Sequence, residues 1–140
     1  MTDLSLTVSR KFAAPAKQIF DAWLDPAMLA RFMTPAPGMT VPKAETDPVE
    51  GGRFDIVMKM EGNELPHAGT YKEISPYSRL VFTWESPYSV PESTVTLNFV
   101  EVDGGTEVTL THDKFPNEEA RDNHEGGWSA ILEKLDALAA

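Results

Sequence analysis

In Pro116-Asn117-Glu118-Glu119-Ala120-Arg121-Asp122-Asn123-His124-Glu125-Gly126-Gly127-Trp128-Ser129-Ala130-Ile131-Leu132-Glu133-Lys134-Leu135-Asp136-Ala137-Leu138, inward-type residues recur at helical spacing. Ala120, His124, Gly127, Trp128, Ile131, Leu135 and Leu138 follow three- and four-residue steps, the stripe of an amphipathic helix laid on a partner. Asn117 is placed to cap that helix, and Glu118 and Glu119 suit its positive end. Each of the paired glycines costs about 1 kcal/mol relative to alanine in a helix interior. Their bare backbone lets a sheet or a ligand approach closely, or it serves a bend or tight helix–sheet packing with no ligand involved.

Almost everything before this helix reads as strands. Phe54, Ile56, Met58 and Met60 alternate with Asp55, Val57, Lys59 and Glu61. Leu80, Phe82 and Trp84 share one face of a strand from Arg79 to Glu85, and Val95, Leu97 and Phe99 alternate again. Asp103-Gly104-Gly105 makes a hairpin turn leading to Val108, Leu110 and His112 on one face. A further strand runs near His67 to Ile74 after a Gly62-Asn63 turn, and Thr40 to Thr46 is extended, with Pro42 favouring a sheet edge. Thr34 to Met39 and the segment bracketed by Pro87 and Pro91 are loops. At the start, Leu4, Leu6, Val8 and Phe12 mark a half-buried strand that Arg10 interrupts. Pro15 suits the first turn of a helix with Ile19, Phe20 and Trp23 on its apolar side, and Pro26 opens a second short helix bearing Met28, Leu29 and Phe32. The expected fold is therefore α+β: a curved antiparallel sheet around a long C-terminal helix, with two short helices after the first strand. Residues 1–140 are expected to form one domain.

Composition narrows the function. Twelve Lys and Arg stand against 22 Asp and Glu, a formal charge of −10. Such a surface repels phosphate backbones, so nucleic acid is not an expected partner. The chain has no cysteine, which excludes disulfides, thiolate metal sites and a cysteine nucleophile. Residues 1–11 lack the apolar run of about 7–15 residues of a signal peptide. No segment approaches the roughly 20 apolar residues of a membrane span. A cytoplasmic location is expected.

Several local motifs sharpen the fold. Ala14-Pro15, Ile19-Phe20-Asp21-Ala22-Trp23 and Asp25-Pro26 form one; Glu50-Gly51-Gly52-Arg53-Phe54 is a second. Gly69-Thr70-Tyr71-Lys72-Glu73-Ile74-Ser75-Pro76 with Arg79-Leu80-Val81-Phe82-Thr83-Trp84, then Gly105-Thr106-Glu107-Val108-Thr109-Leu110-Thr111-His112, and Gly126-Gly127-Trp128 complete the set. In this order they resemble the bacterial family named for similarity to the C-terminal domain of the activator of the heat-shock-protein-90 ATPase. That family lies within the START-like, SRPBCC superfamily, and the resemblance covers nearly the whole chain. It implies the helix-grip fold. Lipid and hormone binders, polyketide cyclases and oxygenase domains share that fold, so the resemblance does not name an activity.

With the resemblance, the apolar faces become candidate ligand-binding residues. Phe54, Ile56, Met58 and Met60 would floor a cavity, Phe82 and Trp84 would wall it, and Trp128 with Ile131 would form the lid. Trp23, Phe32 and Met33 would close its mouth. Ligand cavities of about 300–1,000 Å³ are typically lined in this way. The competing reading is that these side chains simply fill the interior. His112, facing inward, would hydrogen-bond a ligand or act as acid or base, or would be a satisfied core histidine bonded to Tyr71 or a helix carbonyl. His124 lies on the helix stripe near Trp128, and Tyr71, His67 and Glu73 share a face if their strand is unbroken. Glu50 and Arg53 are placed to pair across their turn.

No metal site is expected: His67, His112 and His124 show no ligand spacing. No nucleophile elbow, phosphate loop or dinucleotide fingerprint appears, so no catalytic nucleophile or cofactor is expected. The leading expectation is a non-enzymatic binder of a small lipophilic molecule. Its rivals are a cyclase- or hydrolase-type enzyme using His112 with Tyr71 or Glu73, and a co-chaperone-like module with a chaperone-type protein partner.

Overall fold

The computed structural model describes residues 4–34, 38–86 and 93–139. Its elements run β1 (Leu4–Phe12), α1 (Ala16–Leu24), α2 (Pro26–Phe32), β2 (Thr40–Thr46), β3 (Arg53–Met60), β4 (Asn63–Ser75), β5 (Arg79–Thr83), β6 (Thr94–Val102), β7 (Gly105–Phe115) and α3 (Glu118–Ala139). The strands make one seven-stranded, curved antiparallel sheet in the order β1-β7-β6-β5-β4-β3-β2. Chain neighbours from β2 to β7 pair with one another, while α1 and α2 carry the chain from one sheet edge to the other. α3 lies on the inner face. The expected α+β helix-grip architecture is what the structure shows.

Period-two alternation creates that inner face. Phe54, Ile56 and Met58 of β3, Leu80 and Phe82 of β5, Val95, Leu97 and Phe99 of β6, and Val108 and Leu110 of β7 are all buried. Trp128, Ile131, Leu132 and Leu135 of α3 meet them. Leu132, outside the expected stripe, is as deeply buried as its neighbours, because the helix surface it shares with Leu135 faces the core. Arg10, the polar interruption in β1, sends its Nε to Asp136 Oδ2 of α3 at 2.9 Å, tying sheet edge to helix. Asn117 Oδ1 accepts from Ala120 N at 2.8 Å, so the expected cap is in place. Asp25 caps α2 in the same way, accepting from Ala27 N at 2.9 Å. Pro15 stands at the cap position of α1, one residue before its first turn.

Several local expectations are corrected. The β3–β4 turn is Glu61-Gly62, both at positive φ, and Asn63 already pairs with Met60 in the ladder. β5 ends at Thr83, two residues short of Glu85, which keeps a single bridge to Ala68. β4 is not evenly alternating: its register with β5 shifts between Tyr71 and Glu73. The bulge leaves Tyr71 buried inside and turns Glu73 out, where it lies 3.5 Å from Arg79. Arg53 pairs with Glu85 at 2.8 Å rather than with Glu50, whose Oε2 accepts from Ile74 N. A side chain at Gly69 would run into Thr83 O and the Phe54 ring, so glycine alone lets β4 approach there. The loop expected around Pro87 and Pro91 and the Pro35–Pro37 part of the earlier loop lie outside the described residues.

Candidate functional site

The inner face of the sheet lines two adjoining spaces that differ in kind, one toward α1 and α2 and one toward α3. The inner one, about 10 Å³, lies among Trp23, Leu29, Met33, Phe54, Ile56, Tyr71, Phe82 and Trp84. It holds one water at most. The aromatic rings here pack against one another: Phe54 meets Phe82 edge to face at 5.3 Å, and Trp23 meets Phe32 at 5.1 Å. Trp23, Phe32, Phe54, Tyr71 and Phe82 are thus brought together as packed interior. Trp23, Phe32 and Met33, expected at a mouth, are instead buried, because α1 and α2 pack their apolar sides against the sheet.

The second space is a pocket of about 180 Å³ nearer the start of α3. Met58, Leu65 and His67 bound it from β3 and β4, and Gly127, Trp128 and Ile131 bound it from α3. Trp84 stands between the two spaces and lines both. Met39 and the exposed Asn123 complete the rim with His124, and the last two also border a polar surface depression along the first turns of α3. Of the expected ligand residues, Met58, Trp84, Trp128 and Ile131 line this pocket. Ile56 lines only the inner gap, and Met60, half-buried at the end of β3, lines neither space. Met39, Leu65 and Asn123 were not anticipated: Leu65 shares the face of His67 and Tyr71 on β4, whereas Met39 precedes β2 and Asn123 is a polar residue of α3, which no apolar pattern marks.

His112 sits behind Trp128, wholly buried. Trp128 Nε1 donates to His112 Nδ1 at 3.0 Å, and His112 Nε2 lies 2.7 Å from Ser93 Oγ. An indole N–H only donates, so Nδ1 must be the accepting nitrogen and Nε2 must carry the proton. Nε2 then donates to Ser93 Oγ, whose own proton goes to Asp113 O at 3.0 Å. Every member of this chain is satisfied in one proton arrangement. The partners are Ser93 and Trp128, not Tyr71 or a helix carbonyl as expected. Burial pushes His112 down to about 3, and His124, whose ring lies 5.4 Å away, adds to the effect.

His67 and His124 face the pocket with the same tautomer. His67 Nδ1 is 2.9 Å from Leu65 O, and His124 Nδ1 is 2.7 Å from Ala120 O. Carbonyls only accept, so both Nδ1 atoms carry protons, and in the neutral rings Nε2 presents a lone pair. Burial pushes His67 down to about 4, with the nearby His124 acting in the same direction against the carbonyls of Leu65 and Ile56. His67 of β4 and His124 of α3 line the pocket, and His112 of β7 lies behind it with its ring 5.4 Å from that of His124.

Neither ring nitrogen of His112 is free to take a proton from a substrate. Burial pushes the Tyr71 phenol well up, with Asp47 adding, and Glu73 points outward, so the acid–base set expected of an enzyme is not assembled. Among the described residues, no three His, Asp or Glu side chains are grouped as a metal ion would require. Among them, too, no helix is long and apolar enough to cross a membrane.

Solved structures share this architecture. A protein from Chromobacterium violaceum is 24% identical, with 96% of each chain covered and a TM-score of 0.89. One from Rhodobacter sphaeroides is 27% identical, covering 96% of this chain and 91% of its own at a TM-score of 0.82. An AHSA1-like protein from Aeromonas hydrophila is 23% identical, covering 96% of this chain and 90% of its own at a TM-score of 0.83. Among curated proteins, none matches the sequence. The model of the family described as "Activator of Hsp90 ATPase homolog 1-like protein" matches residues 13–140, and the chain belongs to that family.

Proposed function

We propose that this chain binds a small, uncharged, lipophilic molecule between the sheet and the first half of α3. The observation that carries the reading is the 180 Å³ pocket walled by Met58, Trp84, Trp128 and Ile131, with Gly127 among its lining residues. Its size sets the scale of the ligand. A cavity of about 150 Å³ takes a benzene ring. Typical drug-sized ligands occupy about 300–1,000 Å³, so a single ring fits and a large lipid does not. The methionine thioethers on two sides adapt to irregular outlines and favour aromatic partners. An ionised ligand would lose its hydration against apolar walls, and the −10 charge of the protein discourages anions before they arrive. The large exposed apolar side chains among the described residues, Val49, Tyr77, Val100 and Val102, lie on turns and a strand end rather than around the pocket. They give a chaperone-type partner no specific support.

Toluene titrated into the protein and followed by calorimetry tests the reading. Gly127→Leu fills the pocket and is expected to weaken toluene binding by about tenfold or more, the cost of forcing a ligand from occupied space. Gly126→Leu is the control, because a side chain there meets nothing within 4 Å. Equal toluene affinity in the parent and in Gly127→Leu would sink the proposal.

A further inference from the structure

Of the described residues, Trp84 alone borders both the inner gap and the pocket. Its ring contacts sort by side. Phe54 and Phe82, which line only the inner gap, lie 6.3 and 6.4 Å from it between centroids. His67 and Trp128, which line only the pocket, each lie 4.9 Å from it. The indole is therefore a partition between a packed interior and an open pocket. The backbone fixes where it stands: Trp84 N donates to Ser93 O at 2.8 Å, and Glu85 beside it is bridged to Ala68. The ring is held differently from that of Trp128, whose Nε1 is tied to His112. Trp84 Nε1 has no hydrogen-bond partner among the described residues, so packing holds this indole in place. A smaller apolar side chain here breaks no hydrogen bond of the ring and opens one space toward the other.

Resting on the reading that the pocket binds a small lipophilic molecule, we infer that Trp84 is the residue that sets the size of that molecule: its indole limits the ligand to one aromatic ring, and a smaller side chain at this position admits a fused two-ring hydrocarbon by joining the pocket to the inner gap. The 180 Å³ of the pocket exceeds the about 150 Å³ that takes a benzene ring by roughly the share of one water. A methyl group fits that excess and a second ring does not. Forcing the second ring in overpacks the wall, and the indole is the part of the wall with space behind it.

Toluene and naphthalene, compared by calorimetry, test this. Naphthalene is the more lipophilic, so a preference for toluene cannot come from burial and reads the size limit directly. The parent is expected to bind toluene about tenfold more tightly than naphthalene. Trp84→Leu is expected to reverse the order, with naphthalene about tenfold the tighter through its additional buried carbons. Ile56→Ala enlarges only the inner gap behind the indole, and is expected to keep the preference of the parent. If the parent binds naphthalene as tightly as toluene, or Trp84→Leu still prefers toluene, or Ile56→Ala alone admits naphthalene, Trp84 does not set the limit; the inference then falls and the pocket reading stands. If neither probe binds the parent, both fall. Should Trp84→Leu fail to fold, Trp84→Phe gives the milder test, expected to bring the two affinities within about threefold. The preference of the parent itself needs no variant.

Discussion

Acidification should destabilise this protein through two histidines well before its carboxylates become protonated. His112 and His67 are held neutral in the folded state, at about 3 and about 4, against an ordinary value of 6.5. The unfolded chain protonates both below about 6.5. The stability they permit is therefore fully present above about 6.5 and is lost as pH falls toward 4 for His67 and 3 for His112. Between about pH 7.5 and pH 5, each unfolded histidine gains close to one proton that its native counterpart refuses, worth about 2 kcal/mol per residue. Together they remove about 4 kcal/mol, a large part of the roughly 5–15 kcal/mol of an ordinary domain. Urea unfolding followed by tryptophan fluorescence at several pH values measures this. His112→Phe, although less stable at neutral pH because Trp128 loses its acceptor, should show a loss between those pH values smaller by about 2 kcal/mol. Relief of the −10 charge acts alike on parent and variant and cancels in the comparison. An unchanged pH dependence in His112→Phe, or a His112 ring that titrates near 6.5 by NMR, would refute the reasoning.

Three further outcomes are expected. Gly126→Ala, exposed and with open space at its Cβ, should stabilise the protein by about 0.5–1 kcal/mol, raising Tm by about 2–4 °C in a thermal melt. Gly69→Ala drives a methyl into backbone and the Phe54 ring, and should cost about 2 kcal/mol or more in chemical denaturation. Trp128→Phe strands the accepting Nδ1 of His112 in a buried site and should cost about 1–3 kcal/mol beyond the lost ring area, whereas a packing role alone would show only the area effect.

What was legible in the sequence was mostly local. The α3 stripe, the Asn117 cap and the alternation of β3, β6 and β7 depend on near neighbours in the chain, and these appear as expected. Pro42 marked an edge strand, and β2 is one. The pocket was less legible because it depends on where distant elements meet. Phe54, Tyr71 and Phe82 are as apolar as Met58 and Ile131, yet the first three fill the interior and the last two line open space. Ser93, which completes the His112 network, continues the inward row of Val95, Leu97 and Phe99, but a serine carries no apolar signal to mark it. The β4 bulge separates Tyr71 from Glu73, and a period-two reading carries straight through it.

The central claim is that the space beside Gly127 is a ligand site. The most direct measurement is ¹H–¹⁵N chemical-shift mapping of the parent protein with toluene. Saturable shifts at His67, Gly127 and the indole groups of Trp84 and Trp128, absent in Gly127→Leu, are the expected result. No saturable shift, or shifts confined to the outer face of the sheet, would contradict it.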